Sequence, residues 1–187
     1  MTSGLKAQIA GQVFIYILSL IIVSLVLLYG YNAIQDFRIK AEEVNLVNFK
    51  NELENVVVKS TRHGDTKPIE LSLSGKFEKV CFVDSFSSLS EAEKSSTCLC
   101  TAGCSNTDPL ICDAWKTTNA SNVYLVPLAN IPINIGPTTV DGNDDGAEDT
   151  ASNCAGINCF YLCATNTHGK IKLTLFGKGN HIFIKLR

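Results

Sequence analysis

The sequence predicts an α+β protein in which one long N-terminal helix precedes a mostly antiparallel, β-rich head that is stabilised by disulfides. Three observations predict this fold class. No charged side chain occurs between residues 7 and 35, and apolar residues then recur at helical spacing to about residue 61. Segments near the C-terminus alternate apolar and polar residues, which is typical of a sheet covered on one face. All eight cysteines follow residue 80, within the head.

The first part of the predicted helix is long enough to cross a bilayer. Its most apolar stretch, residues 13–31, would measure about 28 Å at a rise of about 1.5 Å per residue, which is close to the thickness of the hydrocarbon core. Backbone polar groups in lipid must be satisfied internally, so this stretch should be helical. We therefore expect a transmembrane helix over residues 8–35. A cleaved secretory signal would have a shorter core and small residues at its exit, where Tyr31 stands.

Residues 36–62 are predicted to continue the same helix in amphipathic form. No glycine or proline interrupts the pattern until Gly64, so the helix should end near His63. Apolar residues form two neighbouring stripes at spacings of three and four, the first being Ile34, Phe37, Ala41 and Val44 and the second Leu46, Phe49, Leu53 and Val56. We expect these stripes to dock on the chain's own head, residues 63–187.

The head is predicted to contain strands and turn-rich loops. We expect a hairpin of residues 69–73 and 78–84 around a turn at 74–76. A short serine-capped helix should follow within residues 87–94. We then expect a turn-rich loop cross-linked by disulfides over 98–112 and a strand at 123–128. Three strands should close the chain, at residues 158–164, 170–176 and 181–186.

The cysteines indicate a disulfide framework, because their number is even and they all lie in one exported-looking region. A zinc or iron–sulfur site would need paired spacings such as C-x2-C, which do not occur; unpaired thiols are the third alternative. Trp115, beside Cys112, should pack on a disulfide. The predicted disulfide cysteines are Cys81, Cys98, Cys100, Cys104, Cys112, Cys154, Cys159 and Cys163.

Residues 141–149 match the pattern D-x-[DN]-x-[DN]-G, in which alternate oxygens reach a hard cation and a glycine permits a sharp turn. The calcium ligands it predicts are the side chains of Asp141, Asn143, Asp145 and Asp149 and the carbonyl of Ala147. Ser152 stands where a bidentate glutamate would complete the pattern. The alternative is a solvated acidic loop that binds no ion.

The junction before the apolar stretch reads Lys6-Ala7-Gln8, and it resembles the class III signal of archaeal type IV pilin-like proteins. The resemblance covers about the first 60 residues. It implies that a prepilin peptidase removes residues 1–7 as a leader and leaves Gln8 as the first mature residue. It also implies assembly with other pilin-like subunits, or with itself, through the N-terminal helix. Gln12 stands where many such pilins carry a glutamate.

Other function classes find little support in the sequence. The net charge is −2 and the basic residues are scattered, so no nucleic-acid partner is expected. No catalytic motif surrounds His63, His168 or His181, so no enzyme is expected. Asn119 begins a glycosylation sequon, which agrees with export. We expect a single-pass membrane protein with a cytoplasmic N-terminus and an extracellular head. The alternatives are a surface protein that never polymerises, whose head is a binding module, and an extracytoplasmic enzyme.

Overall fold

The structure is a computed structural model that describes residues 4–87, 89–104, 107–117, 121–129, 131–149 and 159–187; within the first helix it describes the side chains of residues 14–38 and 40–59. The chain forms two compact units, Met1–Val44 and Asn45–Arg187. A long N-terminal helix precedes two sheets, which agrees with the predicted α+β class.

The described part of the chain contains three α-helices and seven strands. The helices are α1 (Gly4–Lys59), α2 (Glu91–Ser96) and α3 (Pro109–Thr117). The strands are β1 (Thr66–Ser72), β2 (Lys79–Val83), β3 (Val123–Val126), β4 (Thr138–Val140), β5 (Tyr161–Thr165), β6 (Lys170–Gly177) and β7 (Ile182–Leu186).

The first unit consists of the N-terminal part of α1. Large apolar side chains are exposed along its described length, from Phe14 to Val44. The stretch Phe14–Lys59 is long and apolar enough, by length and composition, to cross a membrane, and its most apolar part has a mean hydropathy of 2.3. In water such exposure would be unfavourable, since each buried apolar side chain contributes about 1.5–3 kcal/mol relative to an exposed one.

In the second unit the end of α1 packs on the head. Leu46, Phe49 and Leu53 are buried, as the second apolar stripe predicted. Val57 takes the fourth buried position, whereas the predicted Val56 is half-buried. These side chains join a core contributed mainly by both sheets, which includes Leu71, Val80, Phe82, Leu125, Leu173, Leu175 and Ile184.

Docking on the head is wrong for the first stripe, because Ile34, Phe37, Ala41 and Val44 are all exposed. The two stripes lie on different faces of the helix, because Val44 and Leu46 are two residues apart and therefore separated by about 200° at 3.6 residues per turn. The face that carries Phe49 and Leu53 is therefore the one that the head covers.

Two sheets build the head. The first has the strand order β1-β6-β7-β4, in which β4 runs parallel to β7 and the other neighbours are antiparallel. The second is antiparallel, with the order β3-β2-β5. In β6 the predicted alternation holds, because Ile171, Leu173 and Leu175 are buried between more exposed neighbours. The three predicted C-terminal strands correspond to β5, β6 and β7 and are confirmed.

The predicted hairpin of β1 and β2 is wrong. The turn forms, since the N–H of Phe77 donates to the carbonyl of Ser74 at 3.1 Å, but the two strands enter different sheets. β1 pairs along its length with β6, where Leu71 faces Ile171. The Asn166 side chain donates to the carbonyls of Ser74 and Phe77 and ties the connection to the end of β5. Partners distant in sequence therefore outweigh the local turn.

The segment around the cysteines is more regular than predicted. α2 has the expected serine cap, with Ser90 and Glu93 bonding reciprocally in a capping box. The predicted loop over 98–112 is wrong at its end, because residues from Pro109 onward form α3. The Asp108 carboxylate accepts from the N–H groups of Leu110 and Ile111 and caps this helix. The Asp-Pro pair was the overlooked signal, since proline favours the first helical position.

The buried stripe can be tested with two phenylalanines of α1. Phe49→Ala should lower the free energy of unfolding of the head by about 3–5 kcal/mol, because the side chain is 1% exposed and its removal leaves a cavity. Phe37→Ala should change it by less than about 0.5 kcal/mol, because Phe37 is 73% exposed. Urea unfolding of the full chain in detergent measures both. Equal losses in the two variants would contradict the assignment of the buried face.

Candidate functional site

The acidic loop 141–149 begins where β4 ends. The N–H of Asp141 donates to the carbonyl of Ile184 at 3.1 Å, so the loop starts beside β7. The buried Asp141 carboxylate accepts from the N–H groups of Asp145 and Gly146, each at 3.0 Å. Gly146 has a φ of +85°, which a residue with a Cβ adopts only under strain. The loop is therefore a tight turn around one buried carboxylate.

A second carboxylate closes the loop at its far end. Asp149 is 1% exposed, and its Oδ2 accepts from the N–H of Gly142 at 2.9 Å and of Phe160 at 2.7 Å. Its other oxygen, Oδ1, is buried and has no hydrogen-bond partner among the residues that the structure describes. Such an orphaned acceptor is unusual in a folded protein and costs free energy.

Basic side chains from around β7 offset part of the loop's negative charge. Lys185 Nζ lies 3.6 Å from Asp141 Oδ2. Glu148 pairs with Lys178 through one oxygen and with His181 Nε2 at 3.1 Å through the other. The mutual repulsion of the loop's five carboxylates is therefore partly relieved by the protein's own cations.

The pKa values of the loop follow from burial and from these partners. Burial raises the pKa of Asp149 to about 6, against the stabilising N–H groups of Phe160 and Gly142, and the nearby charges of Asp141 and Asp145 raise it further. Burial alone would also raise the pKa of Glu148. Its hydrogen bonds to Lys178 and His181 instead hold that pKa below its usual range.

The structure places the five predicted calcium ligands in one loop, but it does not assemble them into one cage. The Asn143 amide donates to Asp145 Oδ2 at 3.0 Å, and Asp145 Oδ1 accepts from the N–H of Ala147 at 2.8 Å. Within the described ranges, no three acidic, histidine or cysteine side chains form a group that could hold a metal ion.

The prediction of disulfides is confirmed for the described cysteines. The bonds are Cys81–Cys163, Cys98–Cys104 and Cys100–Cys112, and Cys159 is also disulfide-bonded. Cys154 lies outside the described residues. The bond between Cys81 and Cys163 joins the facing residues of β2 and β5, which are 82 positions apart. On a chain-entropy basis such a long loop contributes about 4.5 kcal/mol, against about 2 kcal/mol for the six-residue separation of Cys98 and Cys104.

A cleft in the head was not predicted. It has a volume of about 670 Å³ and lies beside α2 and α3, lined in part by Asp84, Phe86, Lys94, Trp115 and Asn134. Burial raises the pKa of Asp84, although its carboxylate accepts hydrogen bonds from Ser87 and Phe86. Trp115 is buried in the cluster that also contains Cys98, and Lys94 Nζ lies 5.6 Å from the centroid of its ring.

The remaining predicted site residues are those of the processing junction and of the glycosylation sequon. Lys6, Ala7 and Gln8 lie in the first two turns of α1, and Asn119 lies outside the described residues. His181 stacks on Phe86 with centroids 4.1 Å apart and pairs with Glu148, so it belongs to the acidic loop's surroundings.

No protein-family model, no curated protein and no solved structure matches the chain.

The raised pKa of Asp149 predicts a pH-dependent stability. The folded state holds this proton at pH values where the unfolded chain, with a pKa near 3.8, has lost it. The resulting stabilisation is full below about pH 4 and is lost as the pH rises through about 6. In chelator, the difference in unfolding free energy between the native protein and Asp149→Asn should fall by up to about 3 kcal/mol from pH 4 to pH 7. A pH-independent difference would contradict the assignment.

Proposed function

We propose that the protein is a membrane-anchored, exported subunit of archaeal pilin-like type, with a structural or adhesive role at the cell surface. The observation that supports this proposal most strongly is that α1 has two roles. One uninterrupted helix, Gly4–Lys59, supplies an exposed apolar stretch and then buries Phe49 and Leu53 in the head. A plain signal sequence needs no such continuation into the core of the exported domain.

The disulfides support an extracellular head. Structural disulfides persist in oxidising compartments, and every described cysteine is bonded. All of them follow α1 in the chain. With the head outside and α1 crossing the membrane once, the N-terminus would lie in the cytoplasm, where a prepilin peptidase acts on the Lys6-Ala7-Gln8 junction.

The exposed stripe of the first unit supports association between subunits. Ile34 and Phe37 lie one helical turn apart, and Ala41 and Val44 repeat the pair seven residues later. Such a repeat suits packing against another helix. Within lipid the hydrophobic effect does not drive helices together, so close packing must do so. The small residues Ala10 and Gly11 would permit two helices to approach closely.

The alternative function is a single-pass surface protein whose head binds a ligand without polymerising. The cleft that Trp115 and Phe86 help to line favours it, because concave sites with apolar and polar lining are the usual form of ligand pockets. Gln12 also favours it, since glutamine cannot neutralise a neighbour's N-terminal amine. Assembly behaviour distinguishes the two functions.

The processing step gives the first test. In an archaeal host with a prepilin peptidase, the membrane-bound protein should begin at Gln8, as measured by mass spectrometry of its N-terminal peptide. Lys6→Ala should leave unprocessed precursor, and Lys40→Ala, which removes a lysine beyond the apolar stretch, should be processed normally. A mature protein that still begins at Met1 or Thr2 would leave only a plain anchor.

Filament formation gives the second test. Overexpression should produce surface filaments visible by electron microscopy. The double variant Phe37→Ser, Val44→Ser should abolish them, because it removes the exposed stripe. The control Lys40→Ser, Glu43→Ser alters equally exposed positions of the same helix segment and should retain filaments. A correctly processed native protein that forms no filaments would favour the binding-module alternative.

A further inference from the structure

The acidic loop 141–149 carries oxygen donors at the sequence positions that a cation-binding loop uses. Side-chain oxygens occur at its first, third, fifth and ninth positions, and Gly146 takes the sharp turn at the sixth. Asp141 holds the turn by accepting the N–H groups of Asp145 and Gly146. Each carboxylate oxygen has a second lone pair, so these bonds leave Asp141 able to contact an ion.

An independent observation points to a missing partner in this loop. Asp149 Oδ1 is buried and has no partner within the described part of the chain, although Oδ2 of the same carboxylate accepts the N–H of Gly142 at the other end of the loop. The carboxylate therefore lies between the two ends of the turn. Carboxylate oxygens are the ligands that a hard cation such as Ca²⁺ takes in proteins.

Lys185 supplies a positive charge at the same place. Its Nζ lies 3.6 Å from Asp141 Oδ2, and a Cβ on Gly146 would lie 3.1 Å from it, so the ammonium sits over the apex of the loop. It balances only part of the charge. Lys185 and Lys178 face five carboxylates, namely Asp141, Asp144, Asp145, Glu148 and Asp149.

We propose that loop 141–149 binds a hard divalent cation such as Ca²⁺, and that the ion competes with the Lys185 ammonium for the Asp141 carboxylate. The loop closes on the ion so that Asp141, Asp145 and Asp149 supply side-chain oxygens and Ala147 supplies its carbonyl, since these side chains form no metal-binding group among the described residues before the ion binds. Water fills the remaining positions, because the structure offers no ready-made cage among its described residues. With so few protein ligands the dissociation constant should lie at about 10⁻⁴–10⁻³ M.

Calorimetric titration of the full chain in detergent with CaCl₂ tests the proposal. The native protein should show saturable binding, and Lys185→Met should bind about tenfold more tightly because the competing charge is gone. Asp145→Asn should abolish binding. Asp144→Asn removes the same charge from the neighbouring exposed position, outside the ligand pattern, and should reduce affinity by less than about threefold.

Each other outcome has a definite meaning. No saturable binding in either the native protein or Lys185→Met at 10 mM Ca²⁺ would overturn the site. Equal losses in Asp144→Asn and Asp145→Asn would overturn it too, since they would show general attraction to negative charge. Binding by the native protein without a gain in Lys185→Met would overturn the competition. Both asparagine variants alter exposed side chains, so they keep the test decisive if Lys185→Met does not fold.

Discussion

The structure depends on the burial of one stripe of α1 in the head. Leu46, Phe49, Leu53 and Val57 insert into a core that both sheets share, so the helix is an integral part of the head's fold. An isolated helix gains little stability in water, and most of its stability in proteins comes from such packing.

The second organising feature is charge compensation at the end of the four-stranded sheet. β4 pairs with β7 in parallel for only three residues, and this places the acidic loop beside the basic residues of β7 and the turn before it. Lys185 and Lys178 neutralise part of the loop, and the backbone N–H groups of Gly142 and Phe160 hold Asp149. The loop keeps an excess of negative charge and one buried oxygen without a partner in the described ranges, and both features favour a cation.

The sequence allowed the elements with local signals to be predicted. Helical spacing identified Phe49 and Leu53 as a docking face, because the 3.6-residue period is set within a few turns. Strand pairing was less predictable, since β1 pairs with a strand about 100 residues away in place of its neighbour β2. The same limit applies to the loop. Its pattern identified Asp141 as a candidate ligand, but the role of Lys185 depends on the short β4–β7 pairing, for which three residues carry almost no periodic signal.

The central claim is that α1 both anchors the protein in the membrane and forms part of an extracellular head. Labelling of Lys67→Cys tests it most directly, because this residue is exposed on β1 and every described native cysteine is bonded. A membrane-impermeant maleimide should label the variant in intact cells, and the labelled protein should remain in the membrane after alkaline carbonate extraction. Labelling only after the cells are permeabilised, or release of the labelled protein by carbonate, would contradict the account.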